Sequence, residues 1–435
     1  MKPTSLLALA ALAGPAAAQS LNAVDSFMRD LSISFRALAG SHPRRAFHRR
    51  IPGQPVKRCI RPSNGYPGGG NSTSTISISS TSPTGSSAST GTRSSTSTRT
   101  STSSSTTRAS TSTTTSATST TTSSAATPSS TWKLDKTIAG SSFFDQWDFW
   151  TEADRTNGAV DYQSQENARA NGIIEVNAAG NAIMRIENTT QVTGNRKSVR
   201  ISSHYIMNGG LAILDAVHMP YGCSTWPAWW TADVSTWPHN GEIDILEGVN
   251  GYTRNQASLH TASGCTISTD YGSTGTLVAS TNCAADETAN QGCGQLGTAS
   301  NGYGKPFNDN GGGVYAMLWQ STGVSVYFFP RNAIPSDITS GAPQPSTWGT
   351  PSGNWPNTSC DPATYLKNHQ IIFTSTICGD WAGSAGSWVA AGVGGQTDSC
   401  AASTGYSNCL DYIRNNGAAF TDAYWEVKSV KVYTT

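Results

Sequence analysis

Between Ser72 and Thr131, 46 of 60 residues are Ser or Thr and none is aromatic. Such a tract has too little apolar surface to offset the entropy of ordering its backbone, so it cannot form a packed core. All 13 tryptophans lie at or beyond Trp132. Folding is therefore concentrated in the 304 residues from Trp132 to Thr435, enough to bury one large core. The tract itself, taken as a linker over residues 71–131, reads as an O-glycosylated stalk. Fully stretched, it reaches on the order of 200 Å at about 3.3 Å per residue.

Upstream of the stalk the chain reads as processed and exported. Lys2, the apolar run Leu6 to Ala13 and the small residues Ala16-Ala17-Ala18 form a signal-peptide pattern over residues 1–18. The run is too short to cross a bilayer, which needs about 20 apolar residues, so a secreted protein with no membrane association after cleavage is expected. In residues 19–70, Val24, Phe27, Met28, Leu31 and Phe35 have helical spacing and precede the basic pairs Arg44-Arg45, Arg49-Arg50 and Lys57-Arg58. This segment is either a pro-segment trimmed at one of those pairs or a solvated basic tail.

Eight of nine cysteines lie at or beyond Cys223, an even set that implies up to four disulfides in an exported domain. Nearness in sequence points to Cys400 with Cys409. Cys283 and Cys293 lack CxxC spacing and clustered His partners, which argues against zinc. Cys59 is left over. Residues 1–131 carry 13 basic and 2 acidic residues, and residues 132–435 carry 15 basic and 25 acidic. An acidic folded part is a poor nucleic-acid binder and does not repel a neutral polymer. Asn71, Asn188 and Asn357 begin N-glycosylation sequons. No phosphate loop, dinucleotide fingerprint or DxDxDG loop occurs, so no cofactor or metal is expected.

Strand signals dominate beyond Trp132. Residues 183–186, 198–207, 210–218, 256–261, 313–320, 324–330, 369–378 and 424–433 read as strands, with Ser321-Thr322-Gly323 as a hairpin turn and Gly311-Gly312-Gly313 as another turn. In the last strand Trp425, Val427, Val430 and Val432 alternate with polar neighbours through one phase slip, the mark of a bulge. Strands joined by Gly- and Pro-rich turns make the fold class all-β, a sandwich or barrel.

The chemistry concentrates in Trp237-Pro238-His239-Asn240-Gly241-Glu242-Ile243-Asp244-Ile245-Leu246-Glu247-Gly248. On a strand Glu242 and Asp244 share one face while Ile243 points to the core. A regular strand would turn Glu247 to the opposite side, and one extra residue at Ile245-Leu246 returns it to the face of the other two acids. Four effective strand steps separate Glu242 and Glu247 by about 13 Å between Cα atoms, leaving a carboxyl gap near the ~5 Å of retaining glycoside cleavage rather than the ~6.5–9.5 Å of inversion. Glu242 is then the nucleophile and Glu247 the acid/base, with Asp244 setting orientation and charge between them. A solvated acidic face and a calcium site are the bland alternatives.

These residues resemble glycoside hydrolase family 16, in particular fungal laminarinase-like endo-1,3(4)-β-glucanases. The family pattern E-[ILV]-D-x-x-E is met by Glu242, Ile243, Asp244 and Glu247, and 210–215, Pro227-Ala228-Trp229-Trp230 and Ser258-Leu259-His260-Thr261 accompany it in order. The resemblance covers residues 132–435. It implies a β-jelly-roll sandwich (concanavalin A-like) whose concave cleft holds a β-glucan, with Trp230 and Trp237 on the donor side and His260 beside the acid/base. Trp381 would add a platform and Arg200 hydrogen bonds to sugar hydroxyls. Trp226 or Trp229 could belong to the core, since adjacent residues on a strand face opposite ways. The expected agent is a monomeric endo-glucanase. A transglycosylase using the same acids, or a non-catalytic glucan-binding wall protein, are the alternatives.

Overall fold

The computed structural model describes residues 130–435. The leader, the basic segment, Cys59, Asn71 and nearly all of the Ser/Thr tract lie outside these residues. Within them two eight-stranded antiparallel sheets pack face to face as a β-jelly-roll sandwich. One sheet runs Gly353–Pro356, Gly323–Pro330, Gly313–Gln320, Gly210–His218, Tyr424–Thr434, Ala182–Arg185 and Ile174–Val176, with Lys133–Ala139 also paired to Tyr424–Thr434. The other runs Thr276–Leu277, Gln295–Leu296, Gln256–His260, Glu242–Glu247, Thr225–Ala232, His369–Ile377, Arg200–Met207 and Trp147–Phe149.

Side-chain alternation explains the core. Trp425, Val427, Val430 and Val432 are all fully buried. The slip between Val427 and Val430 is a bulge, where pairing with Gly210–His218 shifts register. From the other sheet Trp229, Ile243, Leu259, Ile371 and Phe373 enter the same cluster. The Phe373 ring meets Trp425 at 5.4 Å and Trp147 at 5.6 Å, both edge-on, so one aromatic seam joins the two sheets. Each such side chain contributes about 1.5–3 kcal/mol by leaving water.

The turns follow the glycines. Gly311 and Gly312 have φ of 73° and 81°, and a Cβ on Gly312 would collide with the Ala216 carbonyl, so only glycine fits there. Gln320 pairs with Gly323, which makes Ser321-Thr322 the two-residue turn and places Gly323 in its strand. Among the described residues no helix is long and apolar enough to cross a membrane.

Eight cysteines form four disulfides: Cys223–Cys400, Cys265–Cys360, Cys283–Cys293 and Cys378–Cys409. The expected Cys400–Cys409 bond is therefore wrong. Cys400 and Cys409 each open a separate short helix, Cys400–Thr404 and Cys409–Asn415. Their sulfurs reach the sheet at different points, Cys223 just before Thr225–Ala232 and Cys378 just after His369–Ile377. Both bonds fasten one segment to the sandwich, a demand that outweighs nearness along the chain.

Candidate active site

Glu242–Glu247 lies in the middle of its sheet, between Thr225–Ala232 and Gln256–His260. Gly241 turns the chain into it at φ 76°, and a Cβ there would collide with Leu366. Asp244 pairs with Trp230, Leu246 with Trp229 and Glu247 with Ala228, so Ile245 is the extra residue and the bulge lies where the sequence places it. Trp229 is fully buried in the core whereas Trp230 and Ala228 line a cavity. Partners across a ladder share a face, so Glu247 returns to the side of Asp244.

A bulge leaves ladder groups unpaired, and here the side chain of Asn255 takes them up. Its Nδ2 donates to the Ile245 carbonyl at 2.8 Å and its Oδ1 accepts from the Glu247 amide at 2.8 Å. No periodicity marks this role, because Asn255 belongs to the loop before the next strand.

All eight residues singled out above, Glu242, Asp244, Glu247, Trp230, Trp237, His260, Arg200 and Trp381, line one cavity of about 900 Å³. Trp237 donates its indole N–H to Glu242. Trp230 donates to Thr374 Oγ1 at 2.9 Å and is nearly buried, which makes it a fixed wall. The Arg200 guanidinium lies over the rings of Trp230 at 4.9 Å and Trp150 at 5.1 Å. His260 Nε2 lies 3.1 Å from Asp244 Oδ2. Trp381 packs edge-on against Trp226 at 5.6 Å and Tyr252 at 6.0 Å.

Trp226 faces the cavity, where its Nε1 donates to Glu247 Oε1 at 2.8 Å. The signal was present in the sequence: residues 226, 228 and 230 share strand parity, opposite to Trp229. Tyr252 and Asp154 also line the cavity and lie on loops, where no periodicity marks them.

Burial raises all three acids. Glu242 is pushed up to about 8, first by burial and then by the charge of Asp244, with His260 and the Trp237 hydrogen bond acting the other way. Asp244 is raised to about 7 by burial, against the pull of its hydrogen bond with Glu242. Glu247 stands well above the usual carboxylate range through burial and the charge of Asp244, and the Trp226 hydrogen bond opposes the shift. His260 is lowered by burial, which favours the neutral imidazole beside Asp244. The three carboxyls thus hold fewer than three charges near neutrality. The donor atoms of Glu242, Asp244 and His260 lie within 4.8 Å of one another, and these are the residues that could hold a metal ion among those described.

Residues 147–433 match the family described as XgeA-like, catalytic GH16 domain. A probable glycosidase of Schizosaccharomyces pombe is 42% identical over 308 residues, 70% of each protein. An endo-1,3(4)-beta-glucanase of Arthroderma benhamiae is 40% identical over 312 residues, covering 70% of this chain and 65% of that protein. A probable endo-1,3(4)-beta-glucanase of Aspergillus niger is 42% identical over 311 residues, a match that spans only 40% of its length. Among solved structures, laminarinase 16A of Phanerochaete chrysosporium, with β-glucans in donor and acceptor sites, is 38% identical with a TM-score of 0.63 over 70% of this chain and 99% of that one. An elongating family 16 β-1,3-glucosyltransferase is equally similar, 38% identical with a TM-score of 0.62 over 70% of this chain and all of that one.

Proposed function

Because the chain belongs to glycoside hydrolase family 16, we propose that residues 132–435 are an endo-acting β-1,3-glucanase that cleaves with retention, mixed 1,3-1,4 chains included. The observation that carries this is the bulge that turns Glu242, Asp244 and Glu247 onto one face within one cavity. The Glu242 carboxylate attacks the anomeric carbon, Glu247 gives its proton to the departing glycosidic oxygen, and a glycosyl-enzyme forms. Glu247, now ionised, takes a proton from water, whose oxygen displaces Glu242 from the sugar. On this reading Glu242 and Asp244 share one proton, held on Asp244 while Glu242 is anionic, which lets one buried carboxylate ionise beside another. Indole faces of the cavity suit the C–H surface of pyranose rings.

The names of the relatives and of the laminarinase support glucan as substrate. The glucosyltransferase at equal similarity supports a second reading, in which a sugar hydroxyl replaces water at the same intermediate. We also place the protein outside the cell, a reading supported by the signal-peptide pattern and four disulfides. The test is reducing-sugar release from laminarin, with product lengths from laminari-oligosaccharides. Shorter products alone mean hydrolysis, and longer ones mean transfer. Glu242→Gln is expected to keep the fold and glucan binding and to lose activity by more than about 10²-fold, beyond the loss of a general acid at the lower end of its range. Residual activity above that level would move the nucleophile elsewhere.

A further inference from the structure

The Trp226 indole hydrogen-bonds one particular oxygen of Glu247, Oε1, at 2.8 Å. An indole N–H only donates. A carboxyl oxygen that itself carries the proton is a poor acceptor, so the proton of a neutral Glu247 is excluded from Oε1 and held on Oε2. The ring is fixed in turn: Trp226 meets Trp381 edge-on at 5.6 Å, and Trp381 meets Tyr252 edge-on at 6.0 Å. The Glu247 amide is anchored by Asn255. Backbone and one side-chain oxygen are both tied, which leaves a single oxygen for proton transfer.

We infer that Trp226 is a positioning residue that fixes which oxygen of Glu247 carries and delivers the proton. The inference rests on reading Glu247 as the acid/base. When the glycosidic bond breaks, the Oε2 proton passes to the leaving oxygen, and the resulting carboxylate keeps the Trp226 hydrogen bond at Oε1. That bond is stronger to the charged state, so it favours proton release and sets the upper pH limit of the acid. Other groups facing Glu247 are Asp244 and Glu242 on its own strand, Tyr303 from a neighbouring loop, and His260 across the strand through Asp244. Tyr303 is buried and neutral, and none of these supplies a second donor to Oε1.

Trp226→Phe keeps a ring against Trp381 and removes only the donor. On laminarin kcat is expected to fall about 10- to 100-fold, within the range of acid–base assistance. The basic limb of its pH profile should move up by about one unit, the loss of one charge-assisted hydrogen bond. On an aryl β-glucoside with an activated leaving group, which needs no proton, the first step should stay within about threefold of wild type. Trp226→His, which can again present an N–H, should recover part of the loss on laminarin. Equal losses on both substrates with an unmoved basic limb would overturn the inference and leave Trp226 a packing residue. Glu247→Ala with azide checks the underlying assignment separately: a β-glycosyl azide from the activated substrate upholds Glu247 as acid/base whatever Trp226 does, and an α-azide removes both.

Discussion

Asp244 is 2% exposed and, among the described residues, has no Lys or Arg partner, so its ionised form is disfavoured in the fold. Its pKa rises from the ordinary carboxylate range to about 7. A raised folded-state pKa gives stability that is fully present below the unfolded value near 4 and is lost as pH climbs through about 7. Asp244→Asn stays neutral and escapes that loss, whose upper limit is roughly 4 kcal/mol at 1.36 kcal/mol per unit. The melting-temperature difference between variant and wild type should be small at pH 4 and reach about +5 °C at pH 8. A difference that shrinks as pH rises would mean that Asp244 is stabilised as an anion, with His260 charged beside it. On the proposed mechanism, the proton that Asp244 shares with Glu242 is the gain set against this weakening of the fold at neutral pH.

At the scale of the element, the bulge at Ile245 decides whether Glu247 enters the cavity or the core. Asn255 holds both backbone groups that the bulge leaves unpaired. Asn255→Ala should cost about 2 kcal/mol or more, since buried groups lose partners. It should also lower kcat at least tenfold with little change in KM, because Glu247, the proposed acid/base, loses its placement. A loss confined to KM would show that the bulge persists without it. Most long strands and both bulges were legible in the sequence because burial on one face forces period two, whereas Lys133–Ala139 and Thr225–Ala232 were not among the strands read from it. Trp226 was legible by the same parity as Trp230. Asn255, Tyr252 and Asp154 were not, since side chains presented by loops follow turn geometry and leave no period to read. The disulfide pairing failed for a related reason: Cys400 and Cys409 are close along the chain, yet the two helices they open direct them to separate anchors.

Across the whole molecule, Cys223–Cys400 and Cys378–Cys409 clamp residues 379–420 onto the sandwich, and this segment carries Trp381 and Val393 into the cavity wall. Replacing Cys223 and Cys400 together by Ala should cost about 2–5 kcal/mol. It should raise KM for long glucans several-fold while kcat on the activated aryl glucoside changes little. A parallel fall in both would mean that the wall also holds the reacting acids. The division of labour has an evolutionary consequence. Both glutamates ride on one strand, so their spacing is set by six residues of backbone and is indifferent to how the flanking loops are cut or lengthened. On the proposed mechanism, insertions and drift in the clamped wall can therefore explore new polymers without altering the stereochemical outcome.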